Sequence, residues 1–203
     1  NLTMKIVILG AGKMGMFMAD TLCMDHDVAV YARHPEKLRY CLNTRRFTTM
    51  DEIKEFDPDL LINAVTIKNT LPAFEQVLPY VGPKCMLSDI ASVKTGLKSF
   101  YETCGHPFVS THPMFGPTFA NLRELSKNHA IIIAESDPKG KEFFRDFYGS
   151  LNLNLHEYTF DGHDETMTYA LSIPFVSSMV FAASMRYPDA PGTTFTKHLD
   201  TAK

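Results

Sequence analysis

His112 is the side chain in this sequence whose setting most suggests chemistry. It stands second in the string T-H-P-M-F-G-P, residues 111–117, with a proline directly after it and a Gly-Pro pair at the end. Prolines fix their own backbone and restrict the residue before them, so we expect this histidine on a short loop with little freedom. Because imidazole has a pKa of about 6.5, a neutral ring can accept a proton near pH 7. A lone histidine in a loop is more often structural than catalytic, so its role has to be judged from the other motifs.

A glycine-rich string near the N-terminus is the second chemical feature. Residues 10–15 have the sequence G-A-G-K-M-G and directly follow the apolar run K-I-V-I-L. In a G-x-G-x-x-G string the first glycine permits a tight turn, the second lets the backbone approach a pyrophosphate, and the third lets helix and strand pack closely. The next helix would offer its N-terminus to the phosphates. This context predicts a bound dinucleotide, so His112 could pair proton transfer with hydride transfer. The contacts expected from this string are Gly10, Gly12, Lys13, Met14 and Gly15.

The residues after the second predicted strand favour NADP over NAD. An acidic residue at this place binds the ribose hydroxyl of NAD, and the string V-Y-A-R-H, residues 30–34, has none. Arg33 follows the strand, and a guanidinium matches a phosphate as a fork. The alternative is that Arg33 is a solvated charge or stacks on adenine. The other cofactor contacts that we expect are His34 and Lys37, close behind Arg33, and Val65 and Thr66, at the end of the fourth predicted strand.

Ser92 is the expected partner of His112. It lies in the string D-I-A-S-V-K, residues 89–94, at the end of the fifth predicted strand, while the sixth predicted strand leads into His112. Ligands of open α/β sheets bind at the carboxyl ends of the strands, so both side chains can converge on one small molecule. A serine hydroxyl can donate to or accept from the same oxygen. Lys94, in the same string, is expected to stand behind the reacting groups or to be structural.

Strands and helices alternate along the elements that must position these residues. This alternation is typical of an α/β fold with a Rossmann-type doubly wound sheet. We expect a dinucleotide-binding domain over residues 4–158, followed over 159–203 by the start of an all-helical domain for substrate binding and dimerisation, inside which the sequence stops. Apolar runs predict strands over 5–10, 27–32, 47–49, 59–65, 85–91, 108–111, 129–134 and 153–158, and helices over 14–24, from 35, 72–80, 93–103, 140–151 and 161–187.

The composition argues against several other classes of protein. The chain has 203 residues, 45% of them hydrophobic and 21% charged, with a net charge of −3, so no basic excess points to nucleic acid. No apolar run approaches the roughly 20 residues that span a bilayer, and the N-terminal run is too short for a signal peptide. The four cysteines form no C-x-x-C pair and no zinc spacing. We therefore expect a cytoplasmic protein with free thiols and no metal, acting on a small molecule.

These strings together resemble the prephenate dehydrogenase family, the arogenate and prephenate dehydrogenases of tyrosine biosynthesis. The glycine string, D-I-A-S-V-K and T-H-P-M-F-G-P occur in the family's order and spacing. G-H-D, residues 162–164, resembles the pair that opens the family's helical domain, and P-G-T-T-F, residues 191–195, resembles a later segment. The resemblance covers essentially the whole chain.

The resemblance implies an oxidative decarboxylation. His112 would take the proton of a ring hydroxyl while a hydride passes from the ring to the nicotinamide, and loss of the carboxylate would aromatise the ring. Ser92 would hold the hydroxyl and His112 in line. His163 would lie near the substrate, against the alternative that it caps or packs the start of a helix. The helical domains would pair into a homodimer.

Two departures from the family bear on the substrate. Many members have S-H-L-P-H where this chain has L-S-I-P-F at residues 171–175, and an arginine for the substrate carboxylate where it has Asp200. A dianion needs cations, and Lys197 and His198, about one turn earlier, are the expected substitutes, against the alternative of solvated helix charges. The choice between prephenate and arogenate stays open, because an acid could recognise the amino group of arogenate. The predicted fold would also suit an NADP-binding redox sensor, or a different NADP-linked β-hydroxyacid or imine reductase.

Overall fold

Strands alternating with helices build the part of the chain that the computed structural model describes, residues 2–169. The strands form one sheet, in which all neighbours are parallel except the sixth and the seventh. The Rossmann-type doubly wound sheet expected from the sequence is confirmed, with strand ends shifted by one or two residues. The strands are β1 (Lys5–Leu9), β2 (Asp27–Tyr31), β3 (Arg45–Phe47), β4 (Leu60–Asn63), β5 (Met86–Asp89), β6 (Phe108–Pro113), β7 (His129–Ile133) and β8 (Asn154–Tyr158).

The strand order places a switch point between β1 and β4. The sheet has the order β3-β2-β1-β4-β5-β6-β7-β8. Strands β2 and β3 therefore lie on one side of β1, and β4 to β8 lie on the other side. The central strands are buried on both faces, as apolar runs such as Ile6 to Leu9 require. Open α/β sheets bind ligands at the carboxyl edge beside such a switch point.

Six α-helices lie within residues 2–159. The helix predicted from residue 93 begins only at Leu97, because Gly96 before it has a φ of +79°, outside the helical region. The predicted helix beginning at Pro35 is a single 3-10 turn, Pro35–Leu38. The helices are α1 (Lys13–Leu22), α2 (Met50–Phe56), α3 (Thr70–Val77), α4 (Leu97–Thr103), α5 (Phe119–Arg123) and α6 (Pro138–Ser150).

Helix α2 was not predicted from the sequence. It begins with a capping box, in which the Thr49 hydroxyl accepts from the Glu52 amide at 3.3 Å and the Glu52 carboxylate accepts from the Thr49 amide at 3.1 Å. Only Ile53 of this helix is buried, so its apolar periodicity is weak. The T-x-x-E spacing of residues 49–52 could have predicted the start of this helix, because the pairing satisfies two amides that have no partner within the helix.

The chain divides by internal contacts into a unit that ends at Phe160 and a second that begins at Asp161. Residues 160–169 are helical, and within residues 2–169 no helix combines the length and the apolar character needed to cross a bilayer. The expectations for residues 171–175 and 191–195, and for Lys197, His198 and Asp200, lie outside the described residues. The domain boundary at 158/159 and the helical second domain remain predictions.

Candidate functional site

The glycine string connects β1 to α1 at the switch point. Gly10 has a φ of +104°, a conformation that side chains disfavour. A Cβ on Gly15 would collide with the carbonyl oxygen of Gly10, so helix and turn approach this closely only without one. A Cβ on Gly12 would meet nothing within 4 Å. The space left above Gly12, at the N-terminus of α1, is what a pyrophosphate would require.

A cavity of about 790 Å³ opens beside this loop, within the size range of small-molecule and cofactor sites. Together with the open backbone at Gly12 it fits a dinucleotide. Lys13 and Met14 begin α1 and do not line this cavity, and Gly15 is buried behind the turn. The predicted cofactor residues that do line it are Gly10, Gly12, Arg33, His34, Lys37, Val65 and Thr66.

Sequence reasoning missed several polar residues of this cavity. Arg39 and Tyr40 also line it, with the Arg39 guanidinium 4.8 Å from the centre of the Tyr40 ring. Glu36 lines it as well, and its carboxylate lies 3.9 Å from Nδ1 of His34. The cations at positions 33, 37 and 39 could have predicted Arg39 as a cavity residue. Tyr40 could not be predicted, because its position depends on how the turn after β2 folds.

His112 lies in a strand, which corrects the expectation of a loop. Strand β6 continues through Pro113, because β7 runs antiparallel to it and pairs His112 with Ile131. The proline ends the strand without needing an amide donor. His112 exposes only 9% of its surface. The imidazole is therefore held by a sheet, a more rigid support than the predicted loop.

Ser92 and His112 lie at the same edge of the sheet. Strands β5 and β6 are parallel, with Asp89 opposite Ser110. Ser92 follows Asp89 by three residues and is exposed, and His112 follows Ser110 by two. The edge is also the one at which β1 meets the glycine string and β4 meets Val65. The structure thus brings the expected proton acceptor, the expected serine and the cavity to one edge.

A buried polar cluster, which we call the Asp89 cluster, lies behind this edge. Lys94 Nζ is 2.6 Å from Asp89 Oδ1 and 2.6 Å from the Thr111 carbonyl oxygen. The Tyr101 hydroxyl donates to Asp89 Oδ2 at 2.6 Å, and the Tyr148 hydroxyl is 2.7 Å from Thr111 Oγ1. Burial, and then the Asp89 charge, hold the pKa of Tyr101 well above its usual value, and burial likewise raises the pKa of Tyr148. Both phenols therefore keep their protons, and the Tyr101 hydroxyl is the donor to Asp89.

His163 belongs to the second unit. It is buried in the helical residues 160–169, and its Nδ1 lies 3.0 Å from Asp164 Oδ1. This pairing suits either the helix-start role or the substrate role that the sequence left open. Among residues 2–169, no group of three or more histidine, cysteine or acidic side chains is arranged to hold a metal ion.

Comparisons with known proteins give a family model and relatives that match this chain. The family model described as prephenate dehydrogenase, nucleotide-binding domain, matches residues 22–153. Arogenate dehydrogenase 1, chloroplastic, of Arabidopsis thaliana is 31% identical over 121 residues, 56% of this chain and 19% of that protein. The T-protein of Haemophilus influenzae is 25% identical over 178 residues, 86% of this chain and 43% of that protein. The chain thus spans less than half the length of these relatives.

The fold is similar to that of a solved enzyme. The crystal structure of prephenate dehydrogenase from A. aeolicus, in complex with hydroxyphenyl propionate and NAD+, has a TM-score of 0.75 to this chain at 17% identity. The match covers the whole of this chain and 79% of that one. At this identity the likeness concerns the fold, and the family follows from the family model.

Proposed function

This chain belongs to the prephenate dehydrogenase family, and we propose on that premise that it oxidatively decarboxylates prephenate or arogenate, giving 4-hydroxyphenylpyruvate or tyrosine, with hydride transfer to NAD(P). The observation that carries the proposal is the placing of His112. It is held in β6 at the carboxyl edge to which the glycine string and the cavity also open. An imidazole fixed there is suited to accept a proton from a substrate that stands beside the nicotinamide.

The reaction uses two side chains of this edge. Bound NAD(P) supplies the hydride acceptor. His112 accepts the proton of the ring hydroxyl at a ring nitrogen, while the Ser92 hydroxyl bonds the same oxygen and holds it in line. The carbon that bears the hydroxyl gives up its hydride as its C=O bond forms. The carboxylate leaves the ring as carbon dioxide, and its bonding electrons pass through the ring to the carbonyl oxygen, which takes the proton back from His112. The aromatic product makes the reaction effectively irreversible.

The substrate's anionic groups are assigned to the second unit. His163, Lys197 and His198 are the candidate contacts, because a dianionic substrate needs cations or donors around it. His163 is buried and its Nδ1 is bonded to Asp164, so its ring has a fixed orientation. The assay below, run with both compounds, decides between prephenate and arogenate.

NADP is the proposed cofactor. Arg33, His34 and Lys37 line it as exposed side chains, and Arg39 adds another cation. A 2′-phosphate would meet these donors, whereas Glu36 is the one acid among the described residues that line the cavity. The excess of cations over acids supports a preference for NADP over NAD.

A second copy of the chain is the proposed partner, joined through the helical domain, and the cytoplasm is the proposed location. All four cysteines are free thiols, which suits a reducing compartment. Light scattering on the protein should give the mass of a dimer, and a monomer at all concentrations would contradict the pairing.

The activity is tested by an assay with four combinations. The protein is incubated with prephenate or arogenate, each with NADP or NAD, and the absorbance of the reduced nicotinamide is followed. We expect turnover in at least one combination and a faster rate with NADP. A protein that binds NADP and turns over neither substrate would contradict the proposal and favour a redox sensor.

A further inference from the structure

Lys94 joins the two chain segments that carry Ser92 and His112. Its ammonium group lies 2.6 Å from the carboxylate of Asp89, the last residue of β5, and 2.6 Å from the carbonyl oxygen of Thr111. Thr111 directly precedes His112, and Ser92 stands two residues before Lys94. The Lys94 side chain thus connects the segment after β5 to the peptide bond between Thr111 and His112.

The Asp89 carboxylate anchors this tie on the β5 side. Its Oδ1 also accepts the amide of Ala91 at 3.0 Å, and its Oδ2 accepts the hydroxyl of Tyr101 at 2.6 Å. The side chains of both Asp89 and Lys94 are completely buried. A buried carboxylate has to be satisfied by several donors, and here the donors include the backbone next to Ser92.

Thr111 is held on the β6 side as well. Its Oγ1 lies 2.7 Å from the hydroxyl of Tyr148 in α6, and its backbone pairs with Ile132 of β7. Its carbonyl, side chain and strand pairing each therefore have a separate support. Little freedom remains for the backbone that carries His112.

We propose that Lys94 is a positioning residue, which acts with Asp89 to hold Ser92 and His112 in the alignment that the reaction needs. The inference rests on the proposed function, in which the two side chains share one substrate oxygen. A purely stabilising role explains the pair less well, because buried ion pairs often contribute no more stability than apolar side chains of similar size. Displacing a catalytic group by about 1 Å can cost about 100-fold in rate.

The test variant is the double substitution Asp89→Asn with Lys94→Met. It removes both buried charges together, so that neither is left unpaired. The matched control is Lys84→Met, which removes an exposed lysine from the loop before β5. Three properties are measured on each folded protein: kcat, the Kd for NADP, and the ring signals of His112 in a spectrum of 15N-histidine-labelled protein.

We expect the double variant to lose about 10- to 100-fold in kcat with the Kd for NADP changed by less than about twofold, and to show shifted or multiple ring signals for His112. Lys84→Met should match the wild type in all three. A folded double variant with wild-type kcat, or with unchanged His112 signals, overturns the proposal.

Two further arms keep the outcome decisive. If the double variant does not fold, Lys94→Arg keeps the positive charge beside Asp89 but changes the reach of the side chain to the Thr111 carbonyl; a lower kcat at unchanged NADP affinity supports the proposal, and an unchanged kcat with unchanged His112 signals overturns it. If the wild type turns over neither substrate, the proposed function fails, while the His112 signals of the wild type and the variants still decide whether Lys94 positions the ring.

Discussion

The charged side chains near the carboxyl edge are either exposed or fully buried. Arg33 and Lys37 are exposed at the cavity, whereas Asp89 and Lys94 are fully buried. Exposed charges can be removed without leaving a buried partner unpaired, so their loss should change the affinity for the cofactor and leave the stability nearly unchanged. Loss of one buried charge should first appear in stability.

Arg33 is the side chain that should decide between the two nicotinamide cofactors. If the proposed preference for NADP holds, Arg33→Ala removes a charge-assisted contact with the 2′-phosphate, which NAD lacks. We expect the KM for NADP to rise roughly tenfold and the KM for NAD to stay nearly constant. Initial rates with each cofactor measure this. Arg145→Ala, which removes an arginine paired with Glu157, is the control, and equal changes of both KM values in Arg33→Ala would contradict the assignment.

The sequence could predict individual site residues only where the signal is local. The glycine string, Arg33 and Ser92 could be proposed because a short motif or a strand end marks each of them. Asp89 was not singled out, because its partners Lys94 and Tyr101 come together through burial behind β5 and β6. Tyr40 was missed for a related reason, since the turn after β2 decides where it lies.

At the scale of elements, strands were easier to predict than helices. A parallel strand that is buried on both faces shows an unbroken apolar run, whereas α2 buries only Ile53 and shows no clear period. The position of His112 in a strand could not be predicted from the neighbouring residues, because it depends on pairing with β7, which begins only at His129.

Helix α6 offers a matched pair of glycines. A Cβ at Gly140 would stand 2.7 Å from Cβ of Val109 in β6, whereas a Cβ at Gly149 would meet nothing within 4 Å. We expect Gly140→Ala to lower the free energy of unfolding by about 1–3 kcal/mol, because helix and sheet must separate. Gly149→Ala should raise it by about 0.5–1 kcal/mol. Urea unfolding of both variants measures this, and a neutral Gly140→Ala would show that α6 can move away from β6.

For the whole molecule, stability should fall at alkaline pH. Burial, and then the charges of Asp59 and Asp57, raise the pKa of the Cys85 thiol from 9.0 to about 12. The folded protein therefore holds this proton more tightly than the unfolded chain. Its contribution to stability is complete below about pH 9 and is lost as the pH rises toward 12. The buried hydroxyls of Tyr101 and Tyr148 act in the same direction above about pH 10.

We expect the free energy of unfolding to fall above about pH 9, with Cys85 contributing at most about 1.4 kcal/mol per pH unit. Cys85→Ala should be less stable at about pH 8, because packing is lost, but its decline from about pH 9 to 10 should be shallower. Urea unfolding at half-unit steps of pH measures both slopes. Parallel curves for the two proteins would show that the thiol proton does not contribute.

The substitution His112→Asn tests most directly the claim that this chain performs proton-coupled hydride transfer at the edge of its sheet. We expect kcat to fall by about 10²- to 10⁴-fold, because the proton acceptor is lost, while the Kd for NADP stays near the wild-type value. His156→Asn, at an exposed position of β8, is the control and should leave both unchanged. A folded His112→Asn protein that retains wild-type turnover would contradict the account.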